Sequence, residues 1–260
     1  MSEFSSKKPY FGEMIEKIVI THPDSTKETR HISFDLGTSG MDYKVGDALG
    51  IIPQNPSELV SDLIALLNFN NDDMVVTHLG EATIEEALTH HYEVHRLCKK
   101  FIQGLEMKFS DSSPKVSMRL VGRSRNQTST GESIIDWDWS GDEEDFPSGF
   151  SPVGSATDPV LMLWESLVNN PDALEDYIWS RDYIDLLADM PNLSFTPQEF
   201  VSNLDRLKPR LYSIASSLDA HPGQVELTVA IVRYNHHGRD RGGLCTIYMA
   251  DQAPLNEKSI

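Results

Sequence analysis

The segment Leu207-Lys-Pro-Arg-Leu-Tyr-Ser-Ile-Ala-Ser-Ser217 sets a cation, an aromatic ring and a hydroxyl almost side by side. Arg210 can fork onto a phosphate or diphosphate. Tyr212 can lay its ring on a flat heterocycle, and Ser213 can hydrogen-bond the polar edge of such a ring. Strict strand alternation puts Arg210 and Tyr212 on one face and Ser213 on the other. One ligand can therefore use all three only at a strand end or a local twist, and an ordinary strand with a surface Arg and a half-buried Tyr carries the same letters. Further on, Arg241-Gly-Gly-Leu-Cys-Thr-Ile-Tyr-Met-Ala250 reads as a glycine turn opening a helix. Backbone N–H groups at a helix start lack partners and carry partial positive charge, which suits a diphosphate. Gly242 and Gly243 would let a ligand approach the main chain closely. A Gly-Gly pair alone is weak. An Arg-x-Tyr-Ser strand, a Thr228-Val-Ala-Ile-Val232 strand and Gly-Gly-x-x-Thr in that order are more specific.

The elements that must position these residues follow from periodicity. Residues 9–54 read as β: Ile32, Phe34 and Leu36 alternate with Ser33 and Asp35, and Tyr43–Ile52 is a glycine-punctuated strand closed by Pro53. Glycines inside strands mark bulges or close approach, which suits a small barrel. The pattern then turns helical. Asn55-Pro-Ser-Glu58 reads as an N-cap with Pro at the first helical position, ahead of Leu59, Val60, Leu63, Ile64 and Leu67. Thr83-Ile-Glu-Glu86 and Thr196-Pro-Gln-Glu199 repeat the start signal, and helices are expected at 159–169 and 171–189. The chain returns to β near its end, where Val225, Leu227, Val229 and Ile231 alternate up to Tyr234.

Composition removes several classes. The 260 residues allow one large or two modest domains at roughly 100–200 residues each. Lys and Arg number 22 against 40 Asp and Glu, a net charge of −18, so neither nucleic-acid phosphates nor anionic lipid are expected partners. No apolar run approaches the roughly 18 residues of a membrane span, and Met1-Ser-Glu-Phe-Ser-Ser-Lys-Lys leads into no secretory segment. Cys98 and Cys245 are the only cysteines, which fits a reducing cytoplasm rather than a disulfide scaffold. Asn126–Ser180 holds 12 carboxylates, no Lys or Arg, and all four tryptophans. This acidic stretch reads as a solvated, flexible insertion over about 108–157, or alternatively as a docking segment for a basic partner.

Other chemistries find little support. His90, His91 and His95 include an i, i+4 pair, but no glutamate follows in a zinc-protease pattern, and no metal is expected. Cys245 at a helix start could be a low-pKa thiol, though its place in the glycine motif favours packing, and Cys98 reads as core filler. His236-His237 reads as surface. No Gly-x-Ser-x-Gly elbow or phosphate-binding Lys loop occurs.

Taken together, Arg210-Leu-Tyr-Ser-Ile-Ala-Ser-Ser217, Thr228-Val-Ala-Ile-Val-Arg-Tyr234 and Gly242-Gly-Leu-Cys-Thr246 resemble the FAD-binding domain of diflavin reductases, and most of all the sulfite reductase flavoprotein group. Val45-Gly-Asp-Ala-Leu-Gly50 and Tyr177-Ile-Trp-Ser-Arg-Asp-Tyr-Ile-Asp-Leu-Leu187 share in the likeness, which spans about 8–106 and 159–256. The resemblance implies a β plus α fold: a six-stranded antiparallel Greek-key barrel of the ferredoxin-reductase kind (8–55 and 205–256) with an inserted helical connecting subdomain (56–204). It implies that Arg210 holds the FAD diphosphate, with Leu211 beside it. Tyr212 would stack on the isoalloxazine and Ser213 would sit at its reactive edge as the catalytic residue. Main chain of Thr228, Val229 and Ala230 would meet the flavin, Tyr234 the adenosine half, and Gly243, Leu244, Cys245 and Thr246 the diphosphate.

An NADPH-binding domain would follow and an FMN-binding domain or another electron-transfer partner would exchange electrons, so NADPH and FMN are implied for the complete system. Three departures stand out. The chain stops at Ile260, where the NADPH-binding domain should begin; no FMN domain precedes Tyr10; and His95 stands where relatives place a Thr. The expectation is one component of a divided system, relaying electrons through FAD. The alternative is a flavin-free interaction module.

Overall fold

The computed structural model describes Phe4 and residues 8–106, 108–109 and 158–258, so the acidic segment lies outside the described residues from 110 to 157. The chain opens with β1 (Glu13–Val19), β2 (Glu28–Asp35) and β3 (Ala48–Ile51). Next come α1 (Ser57–Leu66), a hairpin of β4 (Met74–Thr77) and β5 (Gly80–Thr83), and α2 (Ile84–Glu86), which widens into a π turn, Ala87–His91. The described helices that follow are α3 (Lys99–Gly104), α4 (Pro159–Val168), α5 (Pro171–Ser180), α6 (Tyr183–Asp189) and α7 (Pro197–Asn203). Strands return as β6 (Arg210–Ser213), β7 (Gln224–Ile231), β8 (Arg233–His236) and β9 (Arg239–Gly242). The last helix, α8 (Leu244–Ile247), runs into a π turn at Tyr248–Gln252.

Each described sheet is antiparallel. β1, β2 and β7 pair in that order, with Arg30 opposite Val229 and His31 opposite Thr228. β3 pairs with β6, setting Ile51 against Arg210, Leu49 against Tyr212 and Ala48 against Ser213. The two sheets meet where Ile214 bridges Leu227 and the Ala215 N–H donates to Glu226 O at 2.8 Å. Lys258 bridges back to Glu13 on the outer edge of β1. The β8–β9 hairpin turns at His237 and Gly238, both with positive φ (52° and 71°), as a two-residue turn requires. The β–helical–β order read from periodicity is the order observed, and the sheets are mixed with helices rather than closed into one.

Buried apolar residues collect in two clusters. One lies among the strands and α8: Met14, Ile32, Phe34, Ile51, Leu227, Val229, Tyr248 and Met249 belong to it. The other lies among the helices and holds Leu63, Ile84, Leu88, Phe101, Tyr183, Leu186 and Phe200. The alternation on β7 buries Val225, Leu227, Val229 and Ile231 as expected, and on β2 it buries Ile32 and Phe34, but Ser33 on the opposite face is buried as well.

Several local expectations need correction. The strand drawn from Tyr43 to Ile52 begins only at Ala48, because Lys44–Asp47 is a turn with Gly46 at φ 96° and the Asp47 carboxylate accepting from the Lys44 N–H. The helix expected over 171–189 is two helices. Asp182 breaks it by capping α6, accepting from the N–H groups of Ile184 and Asp185, while Asp185 returns a bond from the Asp182 N–H. Cys98 precedes α3 and packs its sulfur near the Tyr183 hydroxyl. The strand expected to reach Tyr234 is interrupted at Val232. Thr83 and Thr196 do cap their helices, the latter in a reciprocal box with Glu199.

Asn55 is not the cap of α1. Its side chain is buried, and Nδ2 donates to both Leu88 O and Tyr92 O at 2.7 Å, tying the end of β3 to the π turn. Asn55→Ala would strand two buried carbonyls, each an unmet acceptor. We expect it to lower stability by about 2–4 kcal/mol, read as a lower urea midpoint with an unchanged slope.

Candidate ligand-binding cleft

A cleft of about 860 Å³ opens between α1, the β8–β9 hairpin and the start of α8, lined by His95, Tyr234, Arg241, Gly242, Leu244 and Ile247 among others. Its volume falls in the ~300–1,000 Å³ range usual for cofactor sites. Gly243 caps α8 in an extended conformation (φ −68°), and its N–H donates to Val232 O at 3.0 Å. Thr246 Oγ1 completes the corner, donating to Gly243 O at 2.9 Å and lying 3.4 Å from the Val232 N–H. A Cβ on Gly242 would run into Ile247 and lie 2.7 Å from Val232 O. The glycines thus serve the chain's own close approach. The N–H groups of Leu244, Cys245 and Thr246 fall in the first turn of the helix, where no intrahelical acceptor exists.

Beside this corner stand the residues of β6. Alternation half-buries Arg210 and Tyr212 and exposes Leu211 and Ser213. The Tyr212 hydroxyl meets the Cys245 thiol at the start of α8, and burial together with this contact pushes the phenol well above its ordinary pKa. Cys245 itself is 3% exposed, and burial raises its thiol to about 11, so it is protonated and packs against Ile51 O. The low-pKa thiol is excluded by this burial. Arg210 lies close enough for its charge to act on Tyr212, Cys245 and His95. Its guanidinium donates to Glu93 Oε1 at 2.6 Å and to Lys208 O at 2.8 Å. Ser213 ends β6, at the strand end that joint use of the three side chains demands. Leu211 points elsewhere, into a separate apolar cleft of about 370 Å³ with Tyr10, Phe34 and Leu49.

β7 supplies an open backbone edge. Glu226 O accepts from Ala215 and Val232 O from Gly243, both on the side turned away from β2. Backbone groups repeat every second residue, so Thr228 and Ala230 present N–H and C=O on that same edge. Both are exposed while Val229 is buried, and the Ile214–Leu227 bridge at the end of β6 takes up the start of this edge. Tyr234 stands on β8, half exposed, at the cleft wall.

His95 lines the cleft, and burial with the charges of Arg210 and Arg96 pushes its pKa down to about 3, so the ring is neutral. Its Nδ1 is buried 3.4 Å from Glu93 Oε1, out of hydrogen-bond geometry and unpartnered. His91 ends the π turn and residues 92–94 run extended, so His91 and His95 do not share a helical face as their spacing suggested. Sequence reasoning missed the cluster that holds the hairpin to the helices. Arg241 donates to Asp182 and Asp185 at 2.8 and 2.6 Å, and Arg239 to the same pair at 2.9 and 3.3 Å. The alternation of Arg239 and Arg241 was the available signal. Burial opposes ionisation of Asp185, but the Asp182 N–H and these arginines together hold its pKa below the usual value.

The FAD binding domain family model matches residues 2–121 and 165–248. The sulfite reductase [NADPH] flavoprotein alpha-component of Bacillus subtilis is 33% identical over 254 residues, covering 96% of this chain and 34% of that protein. Proteins of the same description from Mannheimia succiniciproducens and Vibrio cholerae are 28% and 27% identical over 96% of the chain. The chain spans about a third of the length of these relatives.

The two glycines of the corner make different demands. In Gly242→Ala the new methyl meets backbone, whereas in Gly243→Ala it meets chiefly the Thr246 hydroxyl, 2.8 Å away on a side chain that can turn. We expect Gly242→Ala to cost about 1–3 kcal/mol and Gly243→Ala distinctly less, compared by thermal unfolding.

Proposed function

The chain belongs to the FAD-binding domain family, and from that premise we propose that it is the FAD-holding part of an NADPH-dependent flavoprotein reductase of the sulfite reductase kind. The observation that carries this reading is the meeting of Arg210 and Tyr212 of β6 with the Cys245 thiol in the first turn of α8, beside a cleft whose wall includes Gly242 and Leu244 of the same corner. These residues suit the cofactor chemically: a guanidinium and unpaired amides for a diphosphate, a phenol ring for a flat heterocycle, and alternating backbone donors and acceptors for its polar rim.

In this proposal Arg210 binds the diphosphate together with the N–H groups of Leu244, Cys245 and Thr246, while Gly243 sets the direction of that turn. Tyr212 covers the isoalloxazine, and the main chain of Thr228, Val229 and Ala230 fixes its rim. Ser213 offers its hydroxyl at the reactive edge, where it can hold a proton. Tyr234 packs on the adenosine half. Leu211 contributes main chain, since its side chain lies in the other cleft. Bound FAD supplies two-electron acceptance from a nicotinamide donor and one-electron release to a further carrier. NADPH would come from an adjoining nucleotide-binding domain, and an FMN-binding domain or another electron-transfer protein would take the electrons.

The same proposal covers the finer architecture. The pairings β1-β2-β7 and β3-β6, with the segment at Lys258, supply six strand segments for a Greek-key barrel, assigned to 8–55 and 205–256. Residues 56–204 are the helical connecting subdomain, and the two separate apolar clusters support that division. Among the described residues no helix is long and apolar enough to cross a membrane. Both cysteines are free, in keeping with a cytoplasmic setting.

The purified protein should carry flavin absorbance or gain thermal stability on adding FAD; a colourless protein that FAD leaves unmoved overturns the reading. Arg210→Ala should weaken FAD binding by about 1.5–3 kcal/mol, the scale of a charged hydrogen bond, or roughly 10- to 150-fold in Kd by fluorescence titration.

A further inference from the structure

Glu93 is shared between two basic side chains, Arg210 and His95, of which His95 lines the cleft. Its Oε1 lies 2.6 Å from the Arg210 guanidinium and 3.4 Å from His95 Nδ1, but only the first contact is a hydrogen bond. All three side chains are largely withdrawn from solvent, at 15% exposure for Glu93, 16% for His95 and 32% for Arg210. A buried imidazole nitrogen with no partner, beside a carboxylate already claimed by another cation, is an arrangement with an unmade bond in it.

We propose that Glu93 changes partner when a diphosphate enters, passing from Arg210 to His95, and that His95 takes up a solvent proton to receive it. This rests on the reading of Arg210 as the diphosphate ligand. A diphosphate carries two charges with which Arg210 can pair, so the guanidinium no longer needs the carboxylate. Glu93 Oε1 then faces only His95 Nδ1, which can donate to it, and a carboxylate freed of Arg210 favours the cationic ring. The charged groups around His95 set the direction of the change. Arg96 on its own segment and Arg210 on β6 oppose the proton now. Glu58 and Asp62 of α1, Asp182 at the start of α6 and Arg233, Arg239, Asp240 and Arg241 of the hairpin line the same cleft, with Asp240 bonded to Asn235. Of these, Arg239 and Arg241 are matched by Asp182 and Asp185, and Arg233 by Glu28 and Asp251. Arg210 is thus the cation whose partner the ligand changes. Glu93 and His95 are positioning residues for Arg210.

Neither the diphosphate nor the isoalloxazine changes charge near neutral pH, so a pH slope in affinity reports the protein. Proton uptake on binding means that affinity rises as pH falls, by up to about tenfold per unit for one proton. Calorimetric titration of flavin-stripped protein with FAD, in two buffers of different ionisation enthalpy between about pH 6 and 8, should show uptake of a fraction of a proton up to one. His95→Gln should bind FAD with little uptake and a flat pH profile. Glu93→Gln should lose the uptake as well, and serves if the first variant does not fold. FAD binding by the wild type without proton uptake, or an unchanged slope in His95→Gln, would overturn the exchange while leaving the FAD assignment standing. No FAD binding by the wild type at any pH would refute the assignment, and this inference with it.

Discussion

The hydrogen bond from the Gly243 N–H to Val232 O is the constraint on which the cleft depends. It stops β7 one residue after Ile231, sends the chain into the β8–β9 hairpin, and returns it against itself to begin α8. The approach is so close that Gly242 has no room for a Cβ. Because Val232 O is used here, the first turn of α8 is fixed beside β6. The Cys245 thiol therefore meets the Tyr212 hydroxyl, within reach of the Arg210 charge. Without this corner the guanidinium, the ring and the amides would belong to separate elements.

A second joint holds the wall of the same cleft. Arg239 and Arg241 project from one face of β9 onto Asp182 and Asp185, which also cap α6 through one another's backbone. The break between α5 and α6 is therefore part of the cleft's construction. It gives two carboxylates fixed positions in a place 4% exposed at Asp182, and the arginines meet them there. Burying such charges is tolerable only with every partner in place. The count is even, two arginines against two aspartates, so these cations hold the wall.

Arg210 is held ready rather than free. Glu93 orients it and offsets its charge. The two apolar clusters on either side supply the rigidity that keeps these groups in register. The strand cluster fixes β6, β7 and α8. The helical cluster fixes the segment carrying Glu93 and His95. The cleft lies between them, where relative placement of the two bodies decides its width.

The sequence by itself determined the strands with strict alternation, the helices with Thr caps, the acidic character, and the family motifs around Arg210, Tyr212 and Gly243. Those signals are local: a period of two, a cap three residues from its partner, a run of letters in order. Only the tertiary structure decided that Asn55 bridges two carbonyls instead of capping α1, that Asp182 splits a helix, that Leu211 enters the smaller apolar cleft, and that Glu93 stands between Arg210 and His95. Each of those depends on residues far apart in the chain, such as Glu93 with Arg210 or Asp182 with Arg241. A hydrogen bond or ion pair across such a separation leaves no periodic trace in the letters, because either partner alone is an ordinary polar residue until the fold brings the other to it.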